Sequence, residues 1–146
     1  MLTWSDEFNT GVAEIDRDHR QLADTLNRLE AALNQGLGSR HVSEIIAFLD
    51  AYAQEHFVRE EGCMACGRCQ KAEQNKAEHA VFLRKVAQAR ERVERSPVAG
   101  AYVALQLHRD LCDWFVNHIL RVDSDLKTVA APVDPLCEDD SRKLTA

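Results

Sequence analysis

No window of this sequence comes near the roughly 18 consecutive apolar residues that a membrane-spanning helix needs, so a membrane partner is not expected. Basic residues never cluster for more than a residue or two, and the formal net charge is −6. Nucleic-acid binding, which needs a concentrated positive face, therefore has little electrostatic support. The opening "MLTWSDEFNTGV" has no basic stretch followed by an apolar one, so no secretory signal is read there. Strand-like alternation and internal repeats are missing too. Five cysteines without a secretory signal point to a reducing, cytoplasmic setting rather than a disulfide framework, and the odd number leaves at least one thiol unpaired.

What is present is the material of one domain. A chain of 146 residues can bury a real core. Its 45% hydrophobic and 29% charged residues are ordinary for a globular protein. Residues 1–15 carry Trp4, Phe8, Gly11, Val12 and Ile15 without a helical period, and read as an extended arm packed on the domain. From about Asp16 the period becomes helical, with His19, Leu22, Leu26, Leu29 and Leu33 three or four residues apart. "NQGLGS" stops that helix. A second opens at Ser39 or Arg40 and carries Val42, Ile45, Ile46, Leu49, Tyr52, His56 and Glu60 along one side, with "CGRC" as its end. A third runs from about Ala72 to Arg95 through Asn75, His79, Phe82 and Val86. "SPVAG" breaks the chain, with Pro97 suited to the first turn of a fourth helix bearing Leu107, Leu111, Trp114, Phe115 and His118. The expected fold is all-α: an up-down-up-down four-helix bundle with an extended N-terminal arm over residues 1–128, and a flexible tail over 129–146.

Each helix places a histidine among its apolar positions. His56 and Glu60 are one turn apart, about 40° around the axis, on the stripe that holds Ile45, Leu49 and Tyr52. A lone core histidine reads as a hydrogen-bonded structural residue. Four of them, one per helix, with an inward carboxylate, are costly to bury unless paired or bound to metal. Facing helices that supply His and carboxylate to one point are how bundle metal sites are built. Imidazole nitrogens with carboxylate oxygens suit iron, manganese or zinc. Asp123 lies five residues after His118, about 140° away on a regular helix, so spacing alone makes it a solvated acid. It joins the site only if the helix ends or bulges first.

Four segments then carry a resemblance: "WSDEFNTGVAEIDRDH" (4–19), "HFVREEGCM" (56–64), "HAVF" (79–82) and "WFVNHILRVD" (114–123). In this order and spacing they closely resemble the bacteriohemerythrins, over about residues 2–126. The resemblance implies a non-haem diiron centre, two Fe ions with an oxo or hydroxo bridge, that binds O2 inside a four-helix bundle. It implies His19 and His56 as ligands of one iron, His79 and His118 of the other, and Glu60 and Asp123 as bridges. It implies Phe115, Trp114 and Ile119 as the surroundings of the ligand pocket. One position departs from the family pattern, which has His-x-x-x-His on the third helix where this chain has "NKAEH". Asn75 stands at the fifth histidine, so that position is a weak oxygen donor, a partner for bound water, or a vacancy, and the centre is expected to be more open or only partly occupied.

The thiols Cys63, Cys66 and Cys69 recur every third residue and spread over about 120° of a helix rather than converging. Cys63 is expected to face inward as a small hydrophobe, and Cys66 and Cys69 to be exposed near the helix end. A reversible redox switch would need low-pKa thiols, with Arg68 beside Cys69 as a modest source. Cys112 is expected to pack, and Cys137 falls in the tail. His41 and His108 lie off the site's face and are expected at the surface or as caps. The leading expectation is a monomeric protein that binds O2, or NO or peroxide, for carriage, storage or sensing, with room for a signalling or redox partner protein. The competing expectations are a peroxidase or NO-reducing enzyme with an open iron site, and an iron-handling protein with thiol switching.

Overall fold

In the computed structural model, residues 1–37 and 39–128 are described. Four α-helices form: α1 (Ala13–Asn34), α2 (Ser39–Cys66), α3 (Ala72–Arg95) and α4 (Pro97–Arg121). Each packs on its neighbours in sequence, and α4 closes on α1, which is the four-helix bundle the periodicity predicts. No strand forms among the described residues. The tail expected over 129–146 lies outside them.

The helix ends follow local chemistry. α1 begins one turn earlier than its apolar period suggests, because Asp16 reaches back from the first turn. Its carboxylate accepts from Thr10 N–H at 2.6 Å, Thr10 Oγ1 at 2.8 Å and Gly11 N–H at 3.2 Å. Gly36, at φ +64, ends it in the left-handed region, where glycine carries no Cβ penalty. α2 closes through Gly67 N–H to Cys63 O and Cys69 N–H to Met64 O, each 2.9 Å, with Arg68 at φ 50. Ser96 caps α4, accepting from Ala99 N–H at 3.4 Å, with Pro97 in the first turn. The N-terminal arm is extended apart from a 3-10 turn over Asp6–Phe8. Leu2, Trp4 and Phe8 pack on the bundle, and the Asn27 side chain bonds Leu2 N–H and C=O at 2.7 and 2.9 Å.

The core is divided. A large apolar cluster runs from Val42 and Leu107 to Phe57 and Ile119. A small one comprises Ile15, Met64, Cys69, Val122 and Leu126. Ile15 precedes His19 by one turn, Met64 follows Glu60 by one turn, and Val122 adjoins Asp123. A layer of buried polar groups therefore lies between two apolar seals. After Arg121 the chain tightens into a 3-10 helix, Asp123–Thr128. It is tied to the α2–α3 loop by Lys71 N–H to Asp125 Oδ2 at 3.2 Å and by Lys71 Nζ to the Arg121 carbonyl. That change of winding turns Asp123 back toward His118.

Candidate metal centre

Six side chains meet in the polar layer: His19 from α1, His56 and Glu60 from α2, His79 from α3, His118 from α4, and Asp123 from the 3-10 helix. All are buried, none above 2% exposed, where an unpaired charge or polar group is costly. Glu60 spans the layer, with Oε1 3.4 Å from His19 Nε2 and Oε2 3.1 Å from His79 Nε2 and 3.8 Å from His56 Nε2. Asp123 does the same from the opposite side, Oδ2 at 3.4 Å from His19 Nε2 and Oδ1 at 3.1 Å from His118 Nε2. Two groups of potential metal-binding atoms result, His19–His56–Glu60 and Glu60–His79–His118–Asp123, each with its atoms within 4.8 Å of one another. Each of the six residues read from the sequence as metal ligands is brought together here, Asp123 included, and the thiols Cys63, Cys66 and Cys69 are not. Asn75 joins them, fully buried, with Oδ1 2.8 Å from His118 Nε2.

The imidazoles are held from behind by acids that the sequence reading missed. His118 Nδ1 is 2.6 Å from Glu78 Oε2, His79 Nδ1 is 2.9 Å from Glu61 Oε1, and His56 Nδ1 is 3.4 Å from Asp18 Oδ2. Asp18 is itself fixed by the Tyr52 hydroxyl at 2.9 Å and by Arg59 Nε and Nη2 at 2.9 and 2.8 Å. A carboxylate that accepts from Nδ1–H keeps the proton on that nitrogen and turns Nε2 inward, the arrangement found behind metal-ligating histidines. Each acid is the sequence neighbour of a site residue, 100° around its helix, where an acid normally faces solvent. That adjacency was the one available signal. Aromatic rings hold the imidazole planes from the side, Phe57 stacked on His79 at 3.7 Å and Trp114 on His118 at 4.2 Å.

The electrostatics ask for a cation. Apart from these imidazoles, neither oxygen of Glu60 or of Asp123 has a hydrogen-bond partner among the described residues. Burial works against the Glu60 charge, but His19 and His79 outweigh it and keep this carboxylate well below its usual range. Burial, reinforced by the negative charge of Glu60, raises Asp123. Burial depresses His56 to about 4, so its ring is neutral, the form that binds metal. For His19 and His118, burial is overcome by the carboxylates, which raise both; without metal, protons supply the positive charge that the layer needs. Imidazole nitrogens with two spanning carboxylates fit a divalent first-row metal. Beside the layer is a small pocket of about 10 Å³ lined by Leu22, Phe57, Trp114, Phe115 and Ile119 together with site residues. Phe115, Trp114 and Ile119 are among the residues that line it.

His41 is exposed, and Cys63 and Cys112 pack against the apolar clusters, as expected, whereas Cys69 and His108 depart from expectation. Cys69 is buried, not exposed, because the α2–α3 loop folds it onto Leu126 and Asp125. Burial raises the thiols of Cys63 and Cys69 despite Arg68, and pushes Cys112 up to about 11, the reverse of what a reactive switch needs. Cys66 is disulfide-bonded rather than a free thiol. His108 is 8% exposed, not a surface residue, and lies 3.4 Å from Cys112 Sγ. Cys137 is outside the described residues.

Comparison with known proteins agrees with this geometry. The sequence-family description "Hemerythrin HHE cation binding domain" matches residues 10–130. The chain is 33% identical over 123 residues to a bacteriohemerythrin of Pseudomonas aeruginosa, covering 84% of this chain and 77% of the relative. Against one from Stenotrophomonas maltophilia it is 32% identical over 119 residues, with 82% and 74% covered. Against one from Methylococcus capsulatus it is 30% identical over 124 residues, with 84% and 92% covered. No described helix is long and apolar enough to cross a membrane. With four buried histidines and two spanning carboxylates in a four-helix bundle, the chain belongs to the hemerythrin family and has a hemerythrin-like metal-binding site.

Proposed function

We propose that this protein binds O2, or a related small ligand such as NO or peroxide, at a non-haem diiron centre. His19 and His56 would hold one iron and His79 and His118 the other, with Glu60 and Asp123 shared between the two. The observation that carries this reading is that both carboxylates reach histidines of both groups, Glu60 to His19 and His56 and to His79, Asp123 to His19 and to His118. Bound there, a ferrous pair would supply the redox chemistry for reversible O2 binding.

The chain's own residues supply the rest. Glu60 and Asp123 contribute the negative charge that balances two cations in a low-dielectric layer. Asp18, Glu61 and Glu78 keep the Nδ1 protons and aim the Nε2 lone pairs. Phe115, Ile119 and Leu22 keep the layer dry, and the pocket's small volume restricts it to ligands of very few atoms. The two apolar clusters seal the layer above and below.

Rapid mixing of the iron-loaded, reduced protein with O2 tests this. The expected result is a visible absorption band that appears with O2 and disappears when O2 is removed. Immediate oxidation without a reversible band would reject carriage and move the protein toward sensing or peroxide and NO chemistry.

A further inference from the structure

One donor in the polar layer belongs to neither a histidine nor an acid. Asn75 lies one turn before His79 on α3 and is fully buried. Its Oδ1 approaches His118 Nε2 at 2.8 Å, and the same nitrogen is 3.2 Å from His79 Nε2 and 3.1 Å from Asp123 Oδ1. Glu78 and Glu61 accept from Nδ1–H of these two histidines, which directs both Nε2 atoms toward the layer. An amide oxygen is an acceptor only. Without metal a proton on His118 Nε2 bridges to the amide oxygen, and a bound cation would replace that proton.

The other end of the amide points the same way. Asn75 Nδ2 is buried and has no hydrogen-bond partner among the described residues. A buried asparagine kept for structure ordinarily has its N–H groups satisfied, since an unmade hydrogen bond there is costly. Here both N–H groups go unused while the oxygen is presented to the layer.

We propose that Asn75 is a metal ligand through Oδ1. The α3–α4 half of the centre then has two imidazoles, the two bridging carboxylates and one neutral amide oxygen. The inference rests on the diiron reading above and adds an asymmetry to it. The amide oxygen is a weaker donor to iron than imidazole, so this half holds its metal less tightly and releases it first.

Anaerobic titration of the metal-free protein with ferrous ion, with metal per chain measured after chelator challenge, tests this. The wild type is expected to take two ions in unequal steps, and Asn75→Ala to weaken only the second step, by about 10-fold or more. Asn75→Asp and Asn75→His should keep both steps. If Asn75→Ala binds both ions with wild-type affinity, Asn75 does not touch metal, although the two-ion centre stands. If the wild type takes only one ion, the diiron reading fails and this proposal with it.

Two further measurements do not depend on Asn75→Ala folding. Iron-edge X-ray absorption of loaded Asn75→His should show imidazole scattering above that of the wild type; no increase would overturn the proposal. Metal-free Asn75→Leu should melt above the metal-free wild type, because it removes an unpaired buried amide. A large drop would instead mark the amide as structural.

Discussion

Glu78 sets its carboxylate 2.6 Å from Nδ1 of His118, and so decides which nitrogen of that ring faces the polar layer. The acid can only accept, so the proton stays on Nδ1 and the Nε2 lone pair is offered inward. Glu78→Ala frees the ring to rotate or change tautomer, and metal affinity is expected to fall by about 10–100-fold. Glu78→Gln, which can still accept through its amide oxygen, should lose less. Competition with a chelator measures both.

Asp18 gathers three donors: the Tyr52 hydroxyl, the Arg59 guanidinium and His56 Nδ1. Asp18→Ala leaves the hydroxyl and the imidazole without an acceptor. Because the Arg59 side chain is 42% exposed, its charge remains partly hydrated after the loss. The expected destabilisation is about 1–3 kcal/mol, read from the urea midpoint of the metal-free protein. An Arg59→Ala variant should lose less than Asp18→Ala, since it removes one partner rather than the hub.

Leu111 is fully buried in the large apolar cluster, away from the polar layer. Leu111→Ala should cost about 2–5 kcal/mol of stability through lost burial and the cavity left behind. Metal per folded chain should not change. A loss of metal in parallel with stability would mean that the layer is positioned by the whole core and not by its own outer acids.

His108 provides a pH dependence outside the polar layer. Burial holds its imidazole below the ordinary value of 6.5. The folded state therefore binds fewer protons than the unfolded state on the acid side of that value, and stability must fall as pH drops. The contribution is complete above 6.5 and is lost as pH falls toward the folded-state value. Denaturant unfolding of metal-free protein should lose stability less steeply below pH 6.5 in His108→Gln than in the wild type. Equal slopes would show that His108 is hydrated in solution.

The bundle was legible because its apolar residues repeat with helical spacing, and the site because four histidines interrupt those stripes. Asp123 was not legible from spacing, since its place depends on α4 ending at Arg121 and the chain rewinding as a 3-10 helix. Only the resemblance pointed to it. Asp18, Glu61 and Glu78 were hidden for a related reason: an acid 100° from a core position looks solvated until a neighbouring helix brings an imidazole to it. The fate of Cys69 depended on how the α2–α3 loop folds, and Arg68 in the left-handed region turns that loop inward in a way the "CGRC" pattern does not announce. His108 was misplaced because helical angles were measured from His118, while the pairing of α4 with α1 buries a second face.

The central claim is that Glu60 and Asp123 hold two metals between them. Iron per chain, measured on protein loaded anaerobically with excess ferrous ion and freed of loosely bound metal, tests it most directly. The account predicts two irons per chain, with the optical bands of an oxo-bridged diferric pair after oxidation. One iron per chain under those conditions, without such bands, would contradict it.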